Sequence, residues 1–324
     1  MLKLLPPKAF AADLIIIEHA VKNLESYLIL LMARISGKKV AIWGHGHTVT
    51  TTVSAFTRSL QRSMARLSDW YFAYTTNSAE RAVRIGADPG RITVLNNSKS
   101  TASLETIVTG VNENRTSYTC LYVGALDESK KIPFLLRSCE EVFSREHNFR
   151  LKVIGDGPDA RQLDGPISRG WCEYLGSGPI EDFAENLYDV VLILMPGRVG
   201  LVAVDSLALG LPIVTTESKA HAPEFEYLDE SNSVVTENDE SSFANGVVGL
   251  LHDRPRLQQL SGGCRSRAPS YTIEAMAERF AFGIAEIIGV SQLASTAAVD
   301  VRDSESTYGA KREGGPTHAG NCST

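Results

Sequence analysis

No stretch of the 324 residues approaches the roughly 18 consecutive apolar residues that a membrane span needs. Cysteine is scarce and unpatterned. Cys120, Cys139, Cys172, Cys264 and Cys322 are an odd number without a CxxC spacing, so neither a disulfide framework nor a zinc site follows from them. They read as reduced thiols, which suits a cytoplasmic protein. A basic excess is also missing: 32 Lys and Arg stand against 38 Asp and Glu, a net charge of −6, which sets nucleic-acid binding aside. The opening MLKLLPPKAFAADL contains Ala9-Phe10-Ala11, which mimics a leader cleavage site. Its apolar part is only Leu4-Leu5 before two prolines, too short for a signal peptide. What remains is an ordinary globular composition, 43% hydrophobic and 22% charged, with length for about two domains.

The chain divides by texture. From Ser291 to Thr324 it is rich in Ser, Thr, Ala and Gly with few large apolar residues, and is expected to be a disordered tail. Residues 116–290 alternate short apolar runs (118–123, 150–154, 173–175, 190–195, 211–215) with helical patterns (134–143, 180–187, 201–209, 243–251, 273–288). Such alternation predicts an α/β fold with a parallel sheet covered on both faces, a Rossmann-like domain. Residues 1–110 read the same way but are shorter. They give strands at 13–17, 39–43, 70–75 and 91–95 with helices at 24–34, 51–67 and 78–85, and a polar connection from Ser98 to Arg115. Four strands are fewer than a doubly wound domain commonly has.

Ligands of open α/β sheets bind at the carboxyl ends of strands. Three turns there can carry chemistry. After Val123, the run GALDESKKIPFLL sets Lys130 and Lys131 before a helix, where a lysine can neutralise a diphosphate; the alternative is a solvated pair balancing Asp127 and Glu128. After Met195, Pro196, Gly197 and Gly200 break the strand ahead of an apolar helix, whose first amides form an anion site. Asp205 lies in that helix, suited to two ribose hydroxyls or else at its solvent edge. The third turn, after the strand at 39–43, is Trp43-Gly44-His45-Gly46-His47. Its first histidine can meet a ligand, while the i, i+2 pair lacks a third metal ligand.

These residues carry a resemblance. From Leu121 to about Leu251 the chain resembles the nucleotide-sugar domain of retaining glycosyltransferases of family 4, which have the GT-B fold. The shared motifs, in order, are Gly124-Ala125-Leu126 with Lys130 or Lys131; Gly155-Asp156-Gly157-Pro158; Tyr174-Leu175-Gly176; Pro196 to Asp205 followed by Ala208-Leu209-Gly210-Leu211-Pro212-Ile213; and Pro223-Glu224. The first half resembles the acceptor domain more loosely, through His45, Tyr74-Thr75-Thr76 and Val94-Leu95-Asn96-Asn97. The resemblance implies two Rossmann-like domains, the N-terminal one incomplete. It implies transfer of a sugar from a nucleotide diphosphate sugar to a glycan or lipid-linked acceptor, with retention and no metal or other cofactor. It places such work at the cytoplasmic face of a membrane, in polysaccharide or glycoconjugate assembly.

Carried over by position, Lys130 or Lys131 binds the diphosphate, Asp205 the ribose, and the amides of Gly200, Leu201 and Val202 the distal phosphate. Gly176 lies near the base and His45 near the transferring sugar. The departures are Ala125 where the family has arginine, with Arg198 as a stand-in, and Gly197 where it has the first of two acids. An abbreviated sheet is further expected to leave an unpaired edge or an uncovered apolar face. Three rivals follow: a degenerate, non-catalytic relative, a GT-B nucleotide-sugar epimerase, and a nicotinamide enzyme. The last has only IGDGPDA at 154–160 to support it, mid-domain and without the third glycine.

Overall fold

The computed structural model describes residues 11–19, 24–46, 55–107, 109–111 and 117–289. The first sheet is β1 (Leu14–Glu18), β2 (Lys39–Gly44), β3 (Trp70–Ala73) and β4 (Ile92–Val94). Its strands are parallel and lie side by side in chain order. Between them run α1 (Leu24–Ile35), α2 (Ala55–Leu67) and α3 (Thr76–Ile85). Local chemistry sets these limits. Thr75 caps α3 by accepting the Ser78 amide, and Gly86 closes it in a left-handed conformation. The Asp69 carboxylate, just ahead of β3, accepts the Val40 amide of β2 at 2.9 Å and so fixes where the two strands meet.

The second sheet holds β5 (Thr119–Val123), β6 (Arg150–Ile154), β7 (Cys172–Gly176), β8 (Val190–Met195), β9 (Ile213–Thr216) and β10 (Ser233–Thr236). All are parallel, in the order β10-β9-β8-β5-β6-β7. The chain steps outward from β5 to β7, then returns to the other flank of β5 with β8. That reversal opens a crevice between the ends of β5 and β8. Its helices are α4 (Ile132–Arg145), α5 (Asp164–Ser168), α6 (Val202–Leu209), α7 (Glu240–His252) and α8 (Arg254–Arg267). β8 is buried along its whole length, as its unbroken VVLILM run demands.

The helix expected at 180–187 is instead a 3-10 turn, Ile180–Asn186, broken at Phe183. The turn buries only Ile180, so no apolar face holds a regular helix there. Three elements escaped the sequence reading, the five-residue α5 among them. β10 is only four residues long. α8 is mostly polar and contains Gly262-Gly263, yet Leu257, Leu260, Ser261 and Cys264 make a buried stripe at helical spacing. A Cβ at Gly263 would lie 1.9 Å from the Ser231 carbonyl oxygen, which explains the glycine.

The last helix, α9 (Ile273–Ile288), crosses back onto the first sheet. Phe280 stacks on Phe72 at 4.3 Å and meets Trp43 edge-on at 5.8 Å, and Met276, Ile284 and Ile287 join the same cluster. The apolar face expected to be uncovered is therefore covered, by the far end of the chain. β1 has no strand on its outer side among the described residues. The four described cysteines are buried free thiols. The tail from 291, Cys322 and His47 lie outside the described residues, as do residues 51–54 of the second expected helix.

Candidate functional site

The ends of β5 and β8 carry two loops that are laced together. The Arg198 amide donates to the Ser129 carbonyl at 2.9 Å, and Lys130 Nζ donates to the Arg198 carbonyl at 2.6 Å. This lacing explains Gly197. A Cβ there would lie 2.3 Å from the Lys130 carbonyl carbon, so no side chain fits at 197. Burial, then the neighbouring Arg198, holds the Lys130 ammonium below the usual lysine range. Lys131 points elsewhere. It adopts a left-handed conformation (φ 54°) and donates to Asn238 Oδ1 at 2.6 Å.

Gly200, Leu201 and Val202 open α6, where amides have no preceding carbonyl to pair with. One turn further, Asp205 is 2% exposed, which rules out the solvent-edge reading. Its charge partner is Lys99, whose Nζ lies 2.6 Å from Oδ1 in an ion-pair contact. Burial raises the Asp205 pKa, and Lys99 opposes the shift without cancelling it. Gly176 ends β7 at φ 96° with open space where a side chain would stand.

Across the cleft, β1 and β2 of the first sheet end in histidines. His45 follows β2 and stacks on Tyr74, with ring centroids 5.4 Å apart. His19 follows β1, and its Nδ1 lies 2.8 Å from the Tyr71 hydroxyl. Burial, then the charge of His45, lowers the His19 pKa to about 4. The sequence signal that singled out His45, a histidine at a strand's carboxyl end, applies equally to His19.

The segment Pro223–Tyr227 pins the two halves together. Thr75 Oγ1 donates to Glu226 Oε1 at 2.6 Å, and the Asn77 amide donates to Oε2 at 2.9 Å. Asn97 Nδ2 donates to Glu224 Oε1 at 2.6 Å, and the Tyr227 hydroxyl donates to the Asn97 carbonyl at 3.0 Å. His221 stacks on Phe225 at 4.1 Å, accepts the Val199 amide at Nδ1 and donates from Nε2 to the Thr216 carbonyl. Between the halves lies a cleft of about 630 Å³, whose walls include His45, Asn77 and Arg81 on one side and Ser129, Arg198, Lys219 and His221 on the other. The cleft thus joins His45 to Arg198, whereas Asp205 and Gly176 lie outside its lining. Lys99 and Arg81 were missed in the sequence because only the tertiary fold brings them to Asp205 and to the cleft.

The sequence model of the family Glycosyl transferases group 1 matches residues 117–253. No curated protein matches the chain. Among solved structures the chain is similar to Anabaena Alr3699/HepE in complex with UDP, at 14% identity and a TM-score of 0.69, over 86% of this chain and 80% of that one. It is also similar to sucrose-phosphate synthase from Thermosynechococcus elongatus (14% identity, TM-score 0.64, 87% of this chain and 75% of that one). A third similar structure is the pneumococcal O-GlcNAc transferase GtfA in complex with UDP and GlcNAc (12%, TM-score 0.63, 85% and 57%). The chain therefore has the GT-B fold, and the part of it from 117 to 253 is similar in sequence to group 1 glycosyltransferases.

Proposed function

We propose that this chain is a retaining glycosyltransferase that takes a sugar from a nucleotide diphosphate sugar bound at the β5–β8 crevice and passes it to a glycan or lipid-linked acceptor held against the first sheet. One observation carries the reading. The lysine-bearing loop after β5 and the helix start after β8 meet at one point, with His45 facing them across the same cleft. In this reading Lys130, Arg198 and the amides of Gly200, Leu201 and Val202 stabilise the leaving diphosphate, and no metal is required. Asp205 receives the ribose, the base packs near Gly176, and His45 contacts the transferring sugar. UDP in two of the similar structures makes uracil the first base to test. The reading also places the protein in glycoconjugate assembly at the cytoplasmic face of a membrane; no helix among the described residues is long and apolar enough to cross one.

A second reading, a donor-binding relative that does not turn over, is favoured by one feature. Position 197 has no room for the acid that the resemblance expects. Calorimetric titration with UDP, GDP and ADP, followed by transfer assays with sugars of the nucleotide that binds, separates the two. Binding lost in Asp205→Ala, together with transfer, supports the enzyme. Binding without transfer or donor hydrolysis supports the second reading, and no nucleotide binding by the folded chain contradicts both.

A further inference from the structure

The cleft carries more positive charge than a donor diphosphate uses. Arg81, Arg198 and Lys219 line it, and the one carboxylate among its lining residues, Glu226, is committed through both oxygens to Thr75 and Asn77. His221 adds no charge, because its Nδ1 accepts a backbone amide and burial lowers its pKa. Arg198 sits beside Lys130 on the donor wall. Arg81 does not: it rises from α3 of the first sheet, and its Cβ packs 3.0 Å from where a Cβ on Gly46 would stand, next to His45.

Arg81 is half-buried and forms no ion pair among the described residues. A partly desolvated guanidinium without a carboxylate is unfavourable until an anion arrives, and its planar fork suits phosphate oxygens. Lys219, in the loop after β9, brings a second cation without an ion-pair partner among the described residues to the same cleft.

We infer that the acceptor bears a phosphate group, bound by Arg81 on the His45 side of the cleft and by Lys219 from the facing wall. The inference rests on the glycosyltransferase reading and assigns the substrate class of its acceptor half. Phosphate could arrive on a soluble sugar phosphate or on a lipid headgroup, and the two are separable by experiment.

The test is binding of glucose 6-phosphate and of glucose to the full chain saturated with UDP, by calorimetry, for the wild type, Arg81→Gln and Lys219→Gln. The expected result is at least tenfold tighter binding of the phosphate than of glucose. Arg81→Gln should lose at least tenfold and Lys219→Gln severalfold, with UDP affinity within about twofold of wild type in both. Retained UDP affinity also certifies that the variants are folded. Equal binding of the two sugars, or an Arg81→Gln chain that binds the phosphate as wild type does, overturns the inference. So does an Arg81→Gln loss of UDP affinity as large as the loss of phosphate binding, since Arg81 would then belong to the donor. If UDP fails to bind while glucose 6-phosphate binds through Arg81, the phosphate site stands and the donor reading falls. Sedimentation with phosphatidylglycerol vesicles, against phosphatidylcholine alone, gives the source. Arg81-dependent sedimentation assigns the phosphate to a lipid, and glucose 6-phosphate binding without sedimentation assigns it to a soluble acceptor.

Discussion

The two sheets grow from the same alternation of parallel strand and helix, but their strand orders differ. In the second sheet the order reverses between β5 and β8; in the first, β1 to β4 are laid down in one direction. The reversal makes adjacent loops leave the sheet on opposite faces and part, which produces a crevice without further design. The first half instead supplies the side chains of His45 and Arg81 to the cleft, while the start of α3 is occupied by Glu226 through the Asn77 amide. Their cores differ as well. The second sheet is enclosed in one continuous cluster running from Leu104 to Cys264, whereas the first has two small clusters, one of them completed by α9. The first sheet thus depends for its closure on the opposite end of the chain.

The largest expected effect breaks that dependence. Phe280→Ala removes the ring stacked on Phe72, a loss of about 3 kcal/mol for a large aromatic truncation. Hydrogen exchange should show amides of β2 to β4 losing protection while β5 and β8 keep theirs. Equal loss in both sheets would mean that α9 serves the whole chain alike.

The buried His19 sharpens the comparison through pH. Its folded pKa of about 4 lies below the ordinary 6.5, so the stability it confers is complete above pH 6.5 and is lost as pH falls toward 4. The full swing is up to about 3 kcal/mol. Urea unfolding of wild type and His19→Phe between pH 7.5 and 4.5 checks this, with a flatter profile expected in the variant.

Lys99→Met has a smaller effect, at the seam between the halves. It leaves the Asp205 carboxylate buried without its cation, at a cost of about 2 kcal/mol at pH 7, since Lys99 itself is partly exposed. Because the folded pKa of Asp205 is already raised, the stability it confers is present at low pH and is lost as pH rises; removing Lys99 raises that pKa further. The penalty should therefore shrink on acidification, which unfolding midpoints at pH 7 and pH 5 would reveal.

Much of this was legible in the residues. The apolar runs at Val190–Met195 and Arg150–Ile154 were found because β-branched runs ending at Gly or Pro have few alternatives, and α9 was found because its apolar spacing is regular. β10 and α8 were not, since a four-residue strand and a helix with two glycines become apparent only against the surfaces they cover. At the site, the loop carrying Lys130 and the helix start at Gly200 follow from local turn chemistry. Which lysine faces the Arg198 turn does not, because a single left-handed residue, Lys131, decides where each side chain goes. The pairing of Lys99 with Asp205 spans more than a hundred residues and left no local trace.

The claim that the strand reversal builds the nucleotide site is tested most directly by hydrogen exchange of the full chain with and without UDP. The expected result is new protection at 124–131 and 196–205, with the amides of β1 to β4 unchanged. Protection confined to the first sheet, or none at saturating UDP, would contradict it.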